Sequence, residues 1–302
     1  MSLPSTEHAE DRYVGLDTWR DEAILAALFE GQRRALASVE AAIPDLARAA
    51  RAAAYRLEDG GRLIYLAAGS PALISLNDAL EIPQTYGVPR ERIVLLFAGG
   101  RAIFENLTGA DEDDGDLAAR DVAGARVGPR DCVIAVSASG TTPYTVAGLR
   151  AAKAAGAVTV GIAGNAGAPL ISEAQIGVLL NAGPEVISGS TRMGAGTAQK
   201  AALNMLSTLI GVHLGHVYDG LMVNVIADNE KLKRRAARIV MRITGADDAA
   251  AHRALEQSGG AVKPAVLIAA GAAGADAAQA LLHNNKGNLR TSLAELSAAT
   301  PA

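Results

Sequence analysis

Apolar positions along this chain switch between two rhythms. Between residues 20 and 58 they recur at helical spacing, with Ile24, Leu25, Leu28 and Phe29 as the clearest group, and Pro44 interrupts them. Two helices are predicted there. Arg62-Leu-Ile-Tyr-Leu66 then reads as a short strand that runs into a tight turn at Ala67-Ala-Gly69. Four more apolar runs follow, Ile93–Phe97, Cys132–Val136, Val158–Ile162 and Ile176–Leu180. Helical patterns or long connections separate them. Leu149 to Ala155, for instance, is Ala-rich with Arg150 and Lys153 on its polar side. Strands that alternate with helices imply βαβ units, and strands apolar throughout fit burial on both faces. The expected architecture is a three-layer αβα sandwich around a mainly parallel sheet.

Residues 198–216 give the most continuous helical pattern, carrying Leu203, Leu206, Leu209, Ile210 and Val212. Such a helix is either a central core element or a subunit interface, with the interface preferred. Beyond Gly245 the texture changes to short Ala-rich helices joined by Gly-Gly and Asn-Lys-Gly turns. The predicted regions are N-terminal helices over 1–59, a sheet-containing domain over 60–245 and a small helical C-terminal subdomain over 246–302.

Composition narrows the function classes. Half of the 302 residues are hydrophobic but only 3% are aromatic, so the core is expected to pack through Ala, Val, Leu and Ile. Net charge is −4. Lys231-Leu-Lys-Arg-Arg235 is a local basic group that reads as a solvated helix face, and nucleic-acid binding is not expected. Cys132 is the single cysteine, which leaves no disulfide framework and no Cys-based zinc site. The polar, acidic start does not read as a signal peptide, and no apolar run reaches the ~18–20 residues of a membrane span. A cytoplasmic protein without membrane contact is expected.

Two polar stretches carry candidate chemistry. Ser137-Ala-Ser-Gly-Thr-Thr142 follows a predicted strand and precedes a predicted helix. The hydroxyls of Ser137, Ser139 and Thr142 can converge on one oxyanion, and Gly140 lets the backbone approach closely. In an open parallel sheet, ligands bind beyond the carboxyl ends of the strands, where this loop falls. It is not a P-loop, because no Gly-Lys-Ser/Thr ending is present. The plain alternative is a Ser/Thr-rich turn with a helix cap. The second stretch, Glu185-Val-Ile-Ser-Gly-Ser-Thr-Arg-Met-Gly-Ala-Gly-Thr-Ala-Gln-Lys200, runs into an apolar helix expected from Thr197 onward. Backbone N–H groups and the helix dipole at that junction can hold an anion, with phosphate the obvious candidate. His213 and His216 lie on or near the long helix with no matching acidic partners, so packing or surface placement is expected and no metal or cofactor is implied.

The Ser-x-Ser-Gly-x-Thr loop resembles the sugar-phosphate loop of sugar isomerase (SIS) domains. The 185–200 run resembles a signature of the N-acetylmuramic acid 6-phosphate etherases within that superfamily, which is related to the glucokinase regulatory protein. Similar segments keep their order along nearly the whole chain: Thr6-Glu7, Gly60–Leu66, Pro83, Thr85-Tyr-Gly87, Ala98-Gly-Gly100, Thr142-Pro-Tyr144, Leu203–Thr208 and Asn229-Glu-Lys-Leu232. The resemblance implies an SIS fold, a homodimer with sites near subunit boundaries, and no cofactor. It also implies cleavage of the lactyl ether from a ring-opened amino-sugar 6-phosphate by elimination and hydration.

That chemistry needs one group to take the carbon 2 proton and another to protonate the departing lactate oxygen. The family's acid falls on Glu81 within Asp78-Ala-Leu-Glu-Ile-Pro83, where Leu80 and Ile82 are expected to desolvate it. The base falls on Asp111 if Gly109-Ala110 is aligned, or on Glu112 by counting from Glu81. Glu112 keeps the longer side chain and is preferred; a solvated acidic loop is the alternative. Ser70, Ser137, Ser139, Thr142, Ser190, Thr191 and Arg192 are the implied substrate contacts. Three loop cations of the family pattern are replaced, by Leu73, Thr141 and Gly194, while Arg192 and Lys200 remain. Charge-assisted contacts contribute about 1.5–3 kcal/mol each, so these losses weaken anion binding or signal a less charged ligand. The altered loops keep two other readings open, a non-catalytic sugar-phosphate regulator and an aldose–ketose phosphosugar isomerase.

Overall fold

The computed structural model describes residues 5–107 and 109–299. Residues 1–4 and 300–302, at the ends of the predicted terminal regions, and Thr108, at the head of the acidic stretch, lie outside the described residues. In chain order the elements are α1 (Asp21–Ala41), α2 (Ile43–Glu58), β1 (Leu63–Ala67), α3 (Gly69–Tyr86), β2 (Ile93–Phe97), α4 (Gly115–Gly124), β3 (Cys132–Val136), α5 (Pro143–Ala154), β4 (Val158–Ala163), α6 (Pro169–Ser172), β5 (Ile176–Leu179) and α7 (Gly194–His213). They are followed by β6 (Val217–Tyr218), β7 (Leu221–Met222), α8 (Glu230–Thr244), α9 (Asp248–Gln257), α10 (Val262–Ala269), α11 (Ala275–Asn284) and α12 (Leu289–Ala299). The chain divides into two compact units, Met1–Ala79 with Glu91–Leu209 and Leu80–Arg90 with Ile210–Ala302.

The first unit holds a five-stranded sheet in the order β2-β1-β3-β4-β5, every pair parallel. The five apolar runs of the sequence are these strands. Alternate residues serve opposite faces. Ile64, Leu66, Val133 and Ala135 join Ala118 and Val122 of α4 and Tyr144, Leu149 and Ala152 of α5 in one apolar cluster. Tyr65, of the other parity, reaches Asp78 of α3 instead. Small residues permit the close layers. A Cβ on Gly161 would sit 1.8 Å from the Leu170 carbonyl oxygen, so β4 and α6 approach only through glycine.

Helix α7 starts three residues earlier than the sequence suggests and stops sooner. Its buried face carries Ala198, Ala202, Leu203, Leu206 and Ile210, which makes it a core element. Met205 and Val212 stay exposed. The end falls at Gly215 in the left-handed region (φ +68), where His216 N–H returns to the Gly211 carbonyl.

The second unit is helical apart from one hairpin. Strands β6 and β7 are joined by Asp219-Gly220, both with positive φ, as the tight two-residue hairpin turn requires. Val223, Ala236, Val240, Ala251, Ala265, Val266 and Leu282 meet in its core. Among the described residues, no helix is long and apolar enough to cross a membrane.

Candidate functional site

The site is built on the carboxyl ends of the central strands. β1 and β3 are neighbours with Ala67 opposite Val136, so the turns that leave them lie side by side. Ser137 is buried and its Oγ lies 2.8 Å from Thr142 Oγ1 and 3.4 Å from Ser139 Oγ. Gly140 N–H donates to Ser137 Oγ at 3.0 Å, and Thr141 N–H donates to Ser139 Oγ at 3.2 Å. Gly140 has φ +78, and a Cβ there would strike Ala163 and Ala168. Only glycine folds the loop back this tightly. The three hydroxyls named from the sequence thus form one cluster.

On the neighbouring strand, Gly69 opens α3 with φ +58, and Ser70 follows, partly buried. The Glu112 carboxyl lies against this turn: a Cβ on Gly69 would be 2.6 Å from Glu112 Oε1. Glu112 ends a short 3-10 turn, Gly109–Glu112, and is half-buried. Burial first, and the charge of Asp113 second, raise its pKa from the ordinary carboxylate value. Asp111, the other candidate base, turns to Gly99, beyond β2.

Residues Ser190, Thr191 and Arg192 occupy the loop before α7, the first two partly buried and Arg192 exposed. The loop differs from expectation in its anion. Glu185 is buried and accepts Gly194 N–H at 2.8 Å and Ala195 N–H at 2.9 Å. The α7 amino terminus, read from the sequence as a phosphate seat, holds this internal carboxylate. That cap explains why the helix begins at Gly194. A Cβ on Gly194 would lie 2.9 Å from Glu185 Oε2. Lys200 donates to Asn77 Oδ1.

Glu81 lies on α3 in the part of the chain belonging to the second unit. Its side chain is exposed and Leu80 is 50% exposed, while Ile82 is buried. The expected desolvation of Glu81 by both neighbours is therefore not formed, because Leu80 points outward. His213 is exposed. Burial first and Lys263 second hold the His216 imidazole down at about 4, a neutral ring at physiological pH. Among the described residues, no group of three or more His, Cys, Asp or Glu side chains could hold a metal ion.

One network escaped the sequence reading. Asp78 is buried and accepts from Tyr65 Oη at 2.7 Å, Asn204 Nδ2 at 2.9 Å and Ser207 Oγ at 2.9 Å. Burial raises its pKa and these bonds oppose that rise. Asp78 ties α3 to β1 and α7. Its signal was positional, since Ser75, Asp78, Ala79 and Ile82 share the buried side of α3 at helical spacing.

Hydroxyl-lined turns at the carboxyl end of this parallel sheet define an SIS-domain protein, and the SIS domain model matches residues 114–209. A protein from Deinococcus radiodurans named N-acetylmuramic acid 6-phosphate etherase is 48% identical over 96% of this chain and 95% of its own. Relatives of the same name from Halalkalibacterium halodurans and Serratia proteamaculans are 37% and 41% identical, covering 97% and 93% of this chain and 98% and 94% of theirs. A phosphoheptose isomerase structure from Francisella tularensis superposes with a TM-score of 0.48 at 18% identity, over 65% of this chain and 98% of that one. The chain belongs to the N-acetylmuramic acid 6-phosphate etherase family.

Proposed function

We propose that this chain is a carbon–oxygen lyase that cleaves the lactyl ether of N-acetylmuramic acid 6-phosphate. The products are N-acetylglucosamine 6-phosphate and D-lactate. Family membership supports the reaction class. The observation that carries the reading on this chain is the raised, half-buried Glu112 carboxyl against Gly69, one strand from the Ser137–Ser139–Thr142 cluster.

In this reading Ser70, Ser137, Ser139, Thr142, Ser190 and Thr191 hold the sugar phosphate, and Arg192 supplies a cation. Ring opening exposes the aldehyde that acidifies carbon 2. Glu112 takes that proton, the electron pair forms the carbon 2–carbon 3 double bond, and the carbon 3–oxygen bond breaks. Glu81 protonates the leaving lactate oxygen. Water then adds across the double bond, hydroxyl at carbon 3 and proton at carbon 2. A Glu112 pKa raised by burial suits a base that works near neutrality. The proposal includes a homodimer in the cytoplasm.

Lactate release from N-acetylmuramic acid 6-phosphate is the test. Glu112→Gln and Glu81→Gln are each expected to lower kcat by about 10²–10⁴-fold, the usual worth of a positioned acid or base. Asp111→Asn is expected to stay within about tenfold of wild type. Absence of lactate with the wild-type protein would overturn the reaction. An active Glu112→Gln protein beside an inactive Asp111→Asn one would move the base to Asp111.

A further inference from the structure

The amino-terminal segment bonds the Ser188–Arg192 loop directly and reaches the Ser137–Thr142 loop through Asn165. Ser5–Glu7 forms one 3-10 turn, and Thr6 is buried at 3% exposure. Asn165 Nδ2, just beyond β4, donates to the Ser139 carbonyl oxygen at 3.0 Å and to Thr6 Oγ1 at 3.3 Å. One residue on, Ser188 Oγ donates to the Glu7 carbonyl oxygen at 3.1 Å. Gly189 has φ +74, and a Cβ there would lie 3.4 Å from Glu7 Oε2. Gly164 is packed as closely: a Cβ would sit 2.9 Å from the Ala138 carbonyl oxygen and 3.6 Å from Thr6 Cγ2.

The segment is itself anchored below. Glu10 pairs with Arg34 of α1 at 3.3 Å, and Arg34 also donates to Tyr13 Oη at 3.3 Å. Helix α1 in turn backs the second loop, since Gly31 admits Val186 and Thr197 donates to Gln32. A buried threonine hydroxyl in a one-turn segment far from the sheet in sequence has no core to fill. Its Oγ1 accepts from Asn165, which also donates to the Ser139 carbonyl oxygen, and the next residue, Glu7, accepts from Ser188.

We infer that Ser5–Glu7 is a strap that sets the spacing between the Ser137–Thr142 loop and the Ser188–Arg192 loop, with Thr6 as a positioning residue for binding the sugar phosphate. Ser139 and Ser190 come from different loops, separated by 51 positions along the chain. Two loops can grip one phosphate only if their separation is held, and neither loop bonds the other in the hydrogen bonds described above. This inference rests on the etherase reading for its ligand and not for its geometry.

The test compares Thr6→Val, which keeps the shape and removes the acceptor, with Thr6→Ser, which keeps the hydroxyl. Binding of N-acetylglucosamine 6-phosphate is followed by titration calorimetry, and lactate release gives KM and kcat. Thr6→Val is expected to raise Kd and KM about three- to tenfold, the scale of one neutral hydrogen bond, with kcat within twofold of wild type. Thr6→Ser is expected to restore both constants. Ser188→Ala, on an exposed side chain, is expected to shift Kd in the same direction and serves if Thr6→Val does not fold. Unchanged Kd in both Thr6→Val and Ser188→Ala would overturn the strap. So would a Thr6→Ser protein as weak as Thr6→Val. If the wild type binds the sugar phosphate but releases no lactate, the etherase reading fails and the calorimetry still decides the strap.

Discussion

At the scale of single residues, the acidic stretch 111–114 divides its labour by direction. Asp114 caps α4 by accepting Leu117 N–H at 2.7 Å, Asp111 turns to Gly99, Asp113 is exposed, and Glu112 alone lies against Gly69. A stretch that reads as a solvated acidic loop therefore holds one carboxyl under desolvation, with a like charge beside it. Replacing that like charge has a defined sign. Asp113→Asn removes a contribution that raises the Glu112 pKa, so the acid limb of the kcat/KM profile is expected to move to lower pH. A pH–rate profile of the two proteins checks this. A limb that moves upward, or does not move, would separate Glu112 from the rate-limiting ionisation.

Elements are set by caps and close contacts more than by helix propensity. The Glu185 carboxylate fixes where α7 begins, and Gly215 fixes where it ends. Both bonds of Glu185 are charge-assisted and face the positive end of the helix dipole. Glu185→Gln keeps one acceptor and loses the charge. It is expected to destabilise the protein by about 1–2 kcal/mol in urea unfolding. The same change loosens the Ser190–Arg192 turn, whose backbone runs directly into the capped residues. Asp78 works similarly on α3: three donors from β1 and α7 hold one buried carboxyl, so the helix that starts at Gly69 cannot slide without breaking that set. The periodicity of α3 places Asp78 on the buried side but does not name its partners.

At the scale of the whole molecule, each unit carries its own apolar core and its own buried charge. In the helical unit Lys263 is 6% exposed, donates to the Gly287 carbonyl oxygen at 2.8 Å, and is pushed down to about 8 by burial. An unfolded lysine titrates near its ordinary value of about 10.4. Between these values the unfolded chain holds more protons than the folded one, so this group's contribution to stability rises with pH across that window and is lost again as pH falls through about 8. Urea unfolding of wild type and Lys263→Met at pH 7 and pH 10.5 checks the sign. The difference is expected to move in favour of wild type by on the order of 3 kcal/mol as pH rises. A difference independent of pH would mean that the amine is not desolvated in solution.

Apolar runs by themselves determined the sheet. Ile93–Phe97 and Cys132–Val136 are strands to the residue, and Cys132–Val136, buried at every position, is cut off where polarity returns at Ser137. The convergence of Ser137, Ser139 and Thr142 was equally local, since a loop of six residues between a strand and a helix has few ways to close around glycine. What only tertiary structure decided are the pairings made across long stretches of chain. Composition cannot say that Glu185 fills the anion seat of α7, that Leu80 leaves Glu81 exposed, that Asp78 binds Asn204 and Ser207, or that Thr6 meets Asn165. Each depends on which side chain the fold brings within reach of an unsatisfied donor or acceptor. Periodicity records burial one residue at a time and carries no information about such partners.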